Sequence, residues 1–143
     1  MSLVVVDANV AVKWFLTEST EALRAEARAL LDKKARQELE FVVPDLFWAE
    51  FANVMWKAVR TGRLTKGSAE ASLESLIQLD FPTVPSRTLI HTAFQIATAF
   101  DRTLYDSLYV SLAIHSNAQL VTADERLANS LAAHFPVKWL GAV

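Results

Sequence analysis

The chain alternates short, continuously apolar runs with longer segments in which apolar residues recur at helical spacing. Leu3–Val6 is an unbroken, largely β-branched run closed by Asp7, the pattern of a strand covered on both faces, as in parallel sheets. Phe41–Val43, stopped by Pro44, predicts a second strand, and Thr83–Val84, set between two prolines, a third. Gln119–Thr122 and Val137–Trp139 predict two more. Between the strands, Asn9–Leu16 reads as a short helix. Thr20 to about Arg36 reads as a longer one, with Leu23, Ala27, Leu30 and Leu31 at helical spacing. Asp45–Thr61 predicts a strong helix ended near Gly62, and Thr65–Leu79 another, started by Thr65 or Ser68. Ser86 is read as the cap of a helix to about Phe100, Thr103 as the cap of one to about Asn117, and Asp124–Leu131 as a short helix. Strands alternating with helices predict an α/β fold with a mostly parallel sheet of four to five strands. The excess of helix over strand predicts an arm built from the two central helices. Ligands of open α/β sheets bind beyond the carboxyl ends of the strands, so acids at strand ends are the first residues to weigh.

Composition narrows the class. A length of 143 residues predicts one domain, 1–143, and an apolar fraction of 52% is enough for a core at this size. There is no uncharged apolar run of about 18 residues, so no transmembrane helix is expected. The start lacks the basic segment and cleavage site of a secretory signal, and cysteine is absent. Both features make a cytoplasmic protein the expectation, and the second excludes disulfides and thiolate metal sites. A net charge of −2 argues against a bulk nucleic-acid coat protein. It leaves room for an enzyme that neutralises a few phosphates with metal ions. The three glycines form no phosphate-cradling loop.

Each of four acids has an ordinary reading beside a functional one. Asp7 ends the first strand and equally suits capping a helix that starts near Asn9. Asp124 follows Leu120–Ala123. There Thr122 and Glu125 have capping-box spacing, which would leave Asp124 in a first turn that favours negative charge. Glu50 shares a helical stripe with Asn53, Lys57 and Arg60, opposite Phe47, Phe51, Val54, Met55 and Ala58; alone, it reads as part of a solvated face. Asp106 lies three residues after Thr103 in a segment that is apolar nearly all round, with no basic residue following it in the helix. A buried carboxylate needs a partner. Together the four form a pattern: strand-end Asp, helix Glu, core-helix Asp, strand-end Asp. If an α/β fold gathers them, their mutual repulsion calls for a cation. Oxygen-only ligands favour Mg²⁺ or Mn²⁺ over zinc.

At these residues the sequence resembles the PIN-domain family, and within it the VapC toxins. The resemblance rests on Val4–Val10, Pro44–Val54, Thr103–Ala113 and Leu120–Leu127, in the family's order and separations. It implies a PIN-like three-layer fold, with a parallel sheet flanked by helices and a two-helix arm. It matches Asp7, Glu50, Asp106 and Asp124 to the acids around the metal, Asn9 to a small polar position beside the first acid, and Thr122 to a hydroxyl that orients a ligand or water. It implies an endoribonuclease that cuts tRNA, rRNA or mRNA, forms homodimers and is held inactive by a small cognate antitoxin. The sequence departs from the family at Asp101-Arg102, where relatives often carry a glycine-containing turn.

The expected chemistry is hydrolysis of an RNA phosphodiester by metal-activated water, with Asp7, Asp106 and Asp124 holding one or two ions. Glu50 would complete the shell or take the nucleophile's proton. Lys13, Lys57, Arg60 and Arg126 neighbour these motifs and are candidate RNA contacts, with ordinary surface charge as the competing reading. His91, His115 and His134 lie on separate segments without metal-ligand spacing. Trp14, Trp48 and Trp56 are read as core. Two other functions fit the class: a PIN-related DNA nuclease, and a receiver-like module phosphorylated on an aspartate. Against the latter, Asp7 stands alone after its strand, preceded by Val6.

Overall fold

A computed structural model describes every residue of the chain except Ser19. The five strands are β1 (Ser2–Val6), β2 (Leu39–Pro44), β3 (Thr83–Val84), β4 (Gln119–Thr122) and β5 (Val137–Trp139). They form one sheet in the order β3-β2-β1-β4-β5, and every pairing is parallel. The helices are α1 (Ala8–Ala11), α2 (Arg24–Ala35), α3 (Leu46–Arg60), α4 (Lys66–Gln78), α5 (Ser86–Phe100), α6 (Leu104–His115) and α7 (Glu125–Leu131). Successive strands step from β1 to β3 in one direction, then cross to β4 and β5 on the other side. With right-handed crossovers, α1 to α4 cover one face and α5 to α7 the other.

The central strands explain the unbroken apolar runs. Val5 and Val6 have no exposed surface, and Val5 stands between Val42 of β2 and Leu120 of β4. Helices on both faces leave a central strand no solvated side, so alternation vanishes. On α3, Phe47, Phe51, Met55 and Ala58 are buried while Asn53, Lys57 and Arg60 are exposed, the division that the helical spacing predicts. On α6, every residue from Ser107 to Ala113 is buried. Its two buried serines are satisfied by carbonyls: Ser107 donates to Thr103 at 2.8 Å and Ser111 to Leu89 at 3.0 Å.

Several boundaries differ from expectation, each for a local reason. The segment from Asn9 splits into α1 and a 3₁₀ turn at Val12–Trp14. The next helix begins at Arg24, because Leu23 adopts a left-handed backbone (φ 61) that a helix cannot include. Ser86 is the first residue of α5 rather than its cap; its hydroxyl donates to the Asp45 carboxylate, tying α5 to the start of α3. Asp124 itself caps α7, accepting from the Leu127 amide at 3.1 Å, so the capping box expected from Thr122 and Glu125 does not form. Trp14 is in the core, donating to the Ala27 carbonyl at 2.9 Å; Trp48 is partly buried and Trp56 is 57% exposed, beneath Arg60. Among the described residues no helix is long and apolar enough to cross a membrane.

Candidate active site

The strand order reverses between β1 and β4, which opens a crevice beyond their carboxyl ends. Asp7 leaves β1 there, its amide donating to the Val121 carbonyl at 3.1 Å as an extension of the ladder. The residue is only 7% exposed. It accepts the Asn9 amide on Oδ1 at 3.2 Å and the Thr122 hydroxyl on Oδ2 at 3.0 Å. Asp7 therefore does cap α1, and it also faces the crevice's other acids. Burial pushes its pKa up to about 7, with the charges of Glu50 and Asp106 adding to the rise and the two hydrogen bonds opposing it.

Thr122 and Asn9 close a compact polar knot around Asp7. The Thr122 oxygen also accepts from Asn9 Nδ2 at 3.2 Å and from the Asp124 amide at 3.1 Å. Asn9 Oδ1 accepts from the Ala123 amide at 3.0 Å. The ends of β1 and β4 are thus locked together by side chains where the sheet stops. Thr122 is fully buried, so its hydroxyl is a positioning group rather than a solvated one.

Glu50 enters from α3, half-buried, and accepts the Tyr109 hydroxyl on Oε1 at 2.6 Å. The same Tyr109 oxygen lies 3.4 Å from the Ala8 amide. Burial raises the Glu50 pKa above the ordinary range and the Asp106 charge adds to this, while the Tyr109 hydrogen bond pulls the other way. Burial and the Asp7 and Glu50 charges keep the Tyr109 hydroxyl protonated. Tyr109 is a site residue the sequence reading missed. The signal was present: it lies three residues after Asp106, hence on the same helical face, in a helix otherwise apolar. Beside Glu50 an open groove of about 420 Å³ is lined by Leu46, Ala49, Asn53 and Tyr105, and Tyr105 is 63% exposed.

Asp106 has a partner four residues earlier, not later. Arg102 Nη2 lies 3.2 Å from Asp106 Oδ2 and 3.9 Å from Asp124 Oδ2. The expectation of an unpaired acid on α6 is corrected: the cation lies in the turn before the helix. That turn requires a left-handed residue, and Asp101 supplies it at φ 54. Asp tolerates that region better than most side chains, so the turn survives without the glycine that relatives often carry. Asp101 is exposed at the surface.

A continuous chain of contacts therefore joins all four acids: Asp124 to Thr122 to Asp7, Ala8 to Tyr109 to Glu50, and Asp106 through Arg102 to Asp124. As the side chains stand, no three acids or histidines among the described residues surround one point closely enough to hold an ion. The donor set nevertheless suits a hard divalent cation, being all oxygen. Burial raises the Asp7 and Glu50 carboxyls, neighbouring acids add to the rise, and a cation would offset both effects.

The basic candidates separate. Lys13 is committed elsewhere, donating to Glu21 Oε2 at 2.8 Å and to the Ala22 carbonyl at 2.7 Å, with its side chain 10% exposed. Lys57, Arg60 and Arg126 are exposed. His91, His115 and His134 are exposed and form no metal cluster.

Known proteins share the chain's sequence pattern and its fold. The PIN domain profile matches residues 4–130. The chain is 33% identical over 134 residues to Ribonuclease VapC3 of Pyrobaculum aerophilum, covering 90% of this chain and 95% of that protein. Its fold resembles the crystal structure of PAE2754 from the same organism, with a TM-score of 0.69, 22% identity and coverage of 99% of this chain and 85% of that one. It also resembles VapBC2 from Rickettsia felis, solved bound to a DNA fragment from its promoter, with a TM-score of 0.66, 15% identity and coverage of 96% and 98%.

Proposed function

The chain belongs to the PIN-domain family, and from that premise we propose that it is a VapC-type endoribonuclease, the toxin of a toxin–antitoxin pair, acting as a single domain over residues 1–143. The observation that carries the reading is the convergence of Asp7, Glu50, Asp106 and Asp124, from four separate segments, at the crevice between β1 and β4. We assign Mg²⁺ or Mn²⁺ to Asp7, Asp106 and Asp124, with Glu50 completing the shell directly or through water, or taking the nucleophile's proton. A divalent ion held there lowers the pKa of water and offsets charge on the departing oxygen.

The chain's own residues supply the rest. Thr122 and Asn9 fix the Asp7 carboxylate, so that it does not turn away when unneutralised. Glu50 has Oε1 held by Tyr109 at 2.6 Å, which leaves Oε2 as the oxygen to take a proton. Its raised pKa makes it a better proton acceptor near neutral pH than a solvated glutamate. Glu50 would take the attacking water's proton as the water oxygen bonds to phosphorus; the bond from phosphorus to the 3′ oxygen breaks, and that oxygen takes a proton from solvent, giving a 5′-phosphate and a 3′-hydroxyl. No side chain becomes covalently attached. Exposed Lys57, Arg60 and Arg126 are the candidate contacts for RNA phosphates flanking the cut. The substrate is a single-stranded or looped RNA, and the location that follows is the cytoplasm.

The relative solved as a VapBC complex supports a small antitoxin as partner, and a homodimer remains part of the proposal. The test is to incubate the purified protein with single-stranded RNA or DNA, with Mg²⁺, Mn²⁺ or EDTA. RNA cleavage is expected with either ion and none with EDTA. Asp7→Asn and Asp106→Asn are each expected to reduce cleavage by a factor of roughly 100 or more. Cleavage of DNA alone would favour the DNA-nuclease reading, and cleavage unchanged by both substitutions would remove the site.

A further inference from the structure

The two acids proposed as ion ligands on α6 and at the start of α7 already share a cation. Arg102 spans them, 3.2 Å from Asp106 and 3.9 Å from Asp124. Its side chain is 23% exposed, and its Nε is buried without a hydrogen-bond partner. A guanidinium has five donors in a rigid fork and pairs best with a carboxylate two donors at a time. Here one nitrogen donates a single hydrogen bond to Asp106 and lies within ion-pair distance of Asp124. A guanidinium held by one hydrogen bond is displaced more readily than one held by a two-donor fork.

Position reinforces this. Arg102 sits between the left-handed Asp101 and the cap Thr103, one turn before Asp106. Its origin is therefore fixed by the α5–α6 turn, while its long stem allows the head group to withdraw. A divalent ion binds carboxylate oxygen at about 2.1 Å and brings twice the charge. It and the guanidinium repel each other and need the same oxygens.

We propose that Arg102 is a built-in counter-cation that competes with the divalent ion for Asp106 and Asp124, so that ion binding requires the guanidinium to leave the pair. The proposal rests on the reading of these carboxylates as an ion site. Competition of this kind weakens apparent affinity by the fraction of molecules in which the pair is free. For a partly exposed pair, removing the arginine is expected to tighten ion binding roughly two- to five-fold. A purely structural brace predicts the opposite: the carboxylates would lose their positioning, and ion binding would stay the same or weaken.

The test is Mn²⁺ titration of the full chain, followed by electron paramagnetic resonance of free Mn²⁺, for wild type, Arg102→Met, Arg102→Lys and Asp106→Asn. Circular dichroism checks that each variant is folded. Tighter binding by Arg102→Met, and loss of binding by Asp106→Asn, are the expected results. Equal or weaker binding by Arg102→Met overturns the competition while leaving the ion site intact. Absence of Mn²⁺ binding in every protein overturns both. A second measurement needs no variant to fold: the Arg102 Nε–H resonance of wild type should shift and exchange faster with water as Mg²⁺ is added. A resonance unmoved at saturating Mg²⁺ overturns the proposal.

Discussion

Thr122 Oγ1 donates to Asp7 Oδ2 across 3.0 Å while accepting from Asn9 and from the Asp124 amide. One buried hydroxyl thus orients the first acid and anchors the backbone of the last. Thr122→Val keeps the shape and removes the hydroxyl. It leaves the Asp7 oxygen without its donor and two N–H groups without an acceptor, at about 3 kcal/mol. The expected outcome is a lower midpoint in chemical denaturation and, where folding persists, a ten- to hundred-fold loss of RNA cleavage. Thr122→Ser should restore most of both. A valine variant with unchanged stability and rate would show that the knot is incidental.

Asp7 also makes stability depend on pH in an unusual direction. Its folded pKa is about 7, against an ordinary value of 3.8. Below the ordinary value both states are protonated and nothing is lost. Between the two values the unfolded chain ionises while the folded chain does not, so stability falls as pH rises. The penalty is complete above the folded value, at up to roughly 4 kcal/mol. In EDTA, Tm should therefore decline from pH 5 to pH 8, and Asp7→Asn should flatten the decline. Mg²⁺ should flatten it too, by neutralising the charged form. A wild-type Tm that rises across this interval in EDTA would contradict the assignment.

The sequence carried more of the fold than of the site's wiring. Apolar runs around Val5 and Leu120 were legible because central parallel strands are buried on both faces. The face of α3 was legible because burial there follows the helical repeat. What escaped is chemistry made by distant partners. Thr122 is matched by resemblance to an orienting hydroxyl, but its partner there, Asp7, is 115 residues away and no spacing names it. Asp106 reads as unpaired because its partner, Arg102, lies before the Thr103 cap and outside the helix. Tyr109 was invisible as a functional group because an aromatic on a core helix is ordinarily packing.

Tyr109 gives a third test. Its hydroxyl donates to Glu50 at 2.6 Å and holds down a carboxyl that burial and Asp106 raise. Tyr109→Phe removes that hydrogen bond without opening a large cavity, so its cost to stability should be modest, about 1–2 kcal/mol. The Glu50 pKa should rise further. If Glu50 accepts the proton, the acid limb of the pH–rate profile moves to higher pH, because a larger share of Glu50 is protonated at a given pH. A rate that drops equally at every pH would assign Tyr109 to packing instead.

Lys13 separates phosphate contact from scaffolding. It was a candidate for RNA because it neighbours the first motif, yet its ammonium is spent on Glu21 and the Ala22 carbonyl. Glu21 also accepts from Arg63 at 3.1 Å, and Arg63 reaches Glu18 at 2.8 Å. This network ties the segment before α2 to the turn between α3 and α4. Burial of Glu21 raises its pKa, but hydrogen bonds from Lys13 and Arg63 outweigh this and hold it below the ordinary value of 4.5. The network's contribution is therefore present above that value and fades as pH falls through the lowered one. Lys13→Ala should cost about 1–2 kcal/mol, seen as a Tm lower by roughly 3–6 °C at pH 7. The deficit should shrink toward pH 3. RNA affinity, measured by fluorescence anisotropy on the Asp106→Asn background to prevent cleavage, should stay within about twofold. Arg126→Ala and Arg60→Ala should weaken it and flatten its dependence on salt if each is a phosphate contact as proposed. A Lys13→Ala protein with full stability and weak RNA binding would reverse the roles.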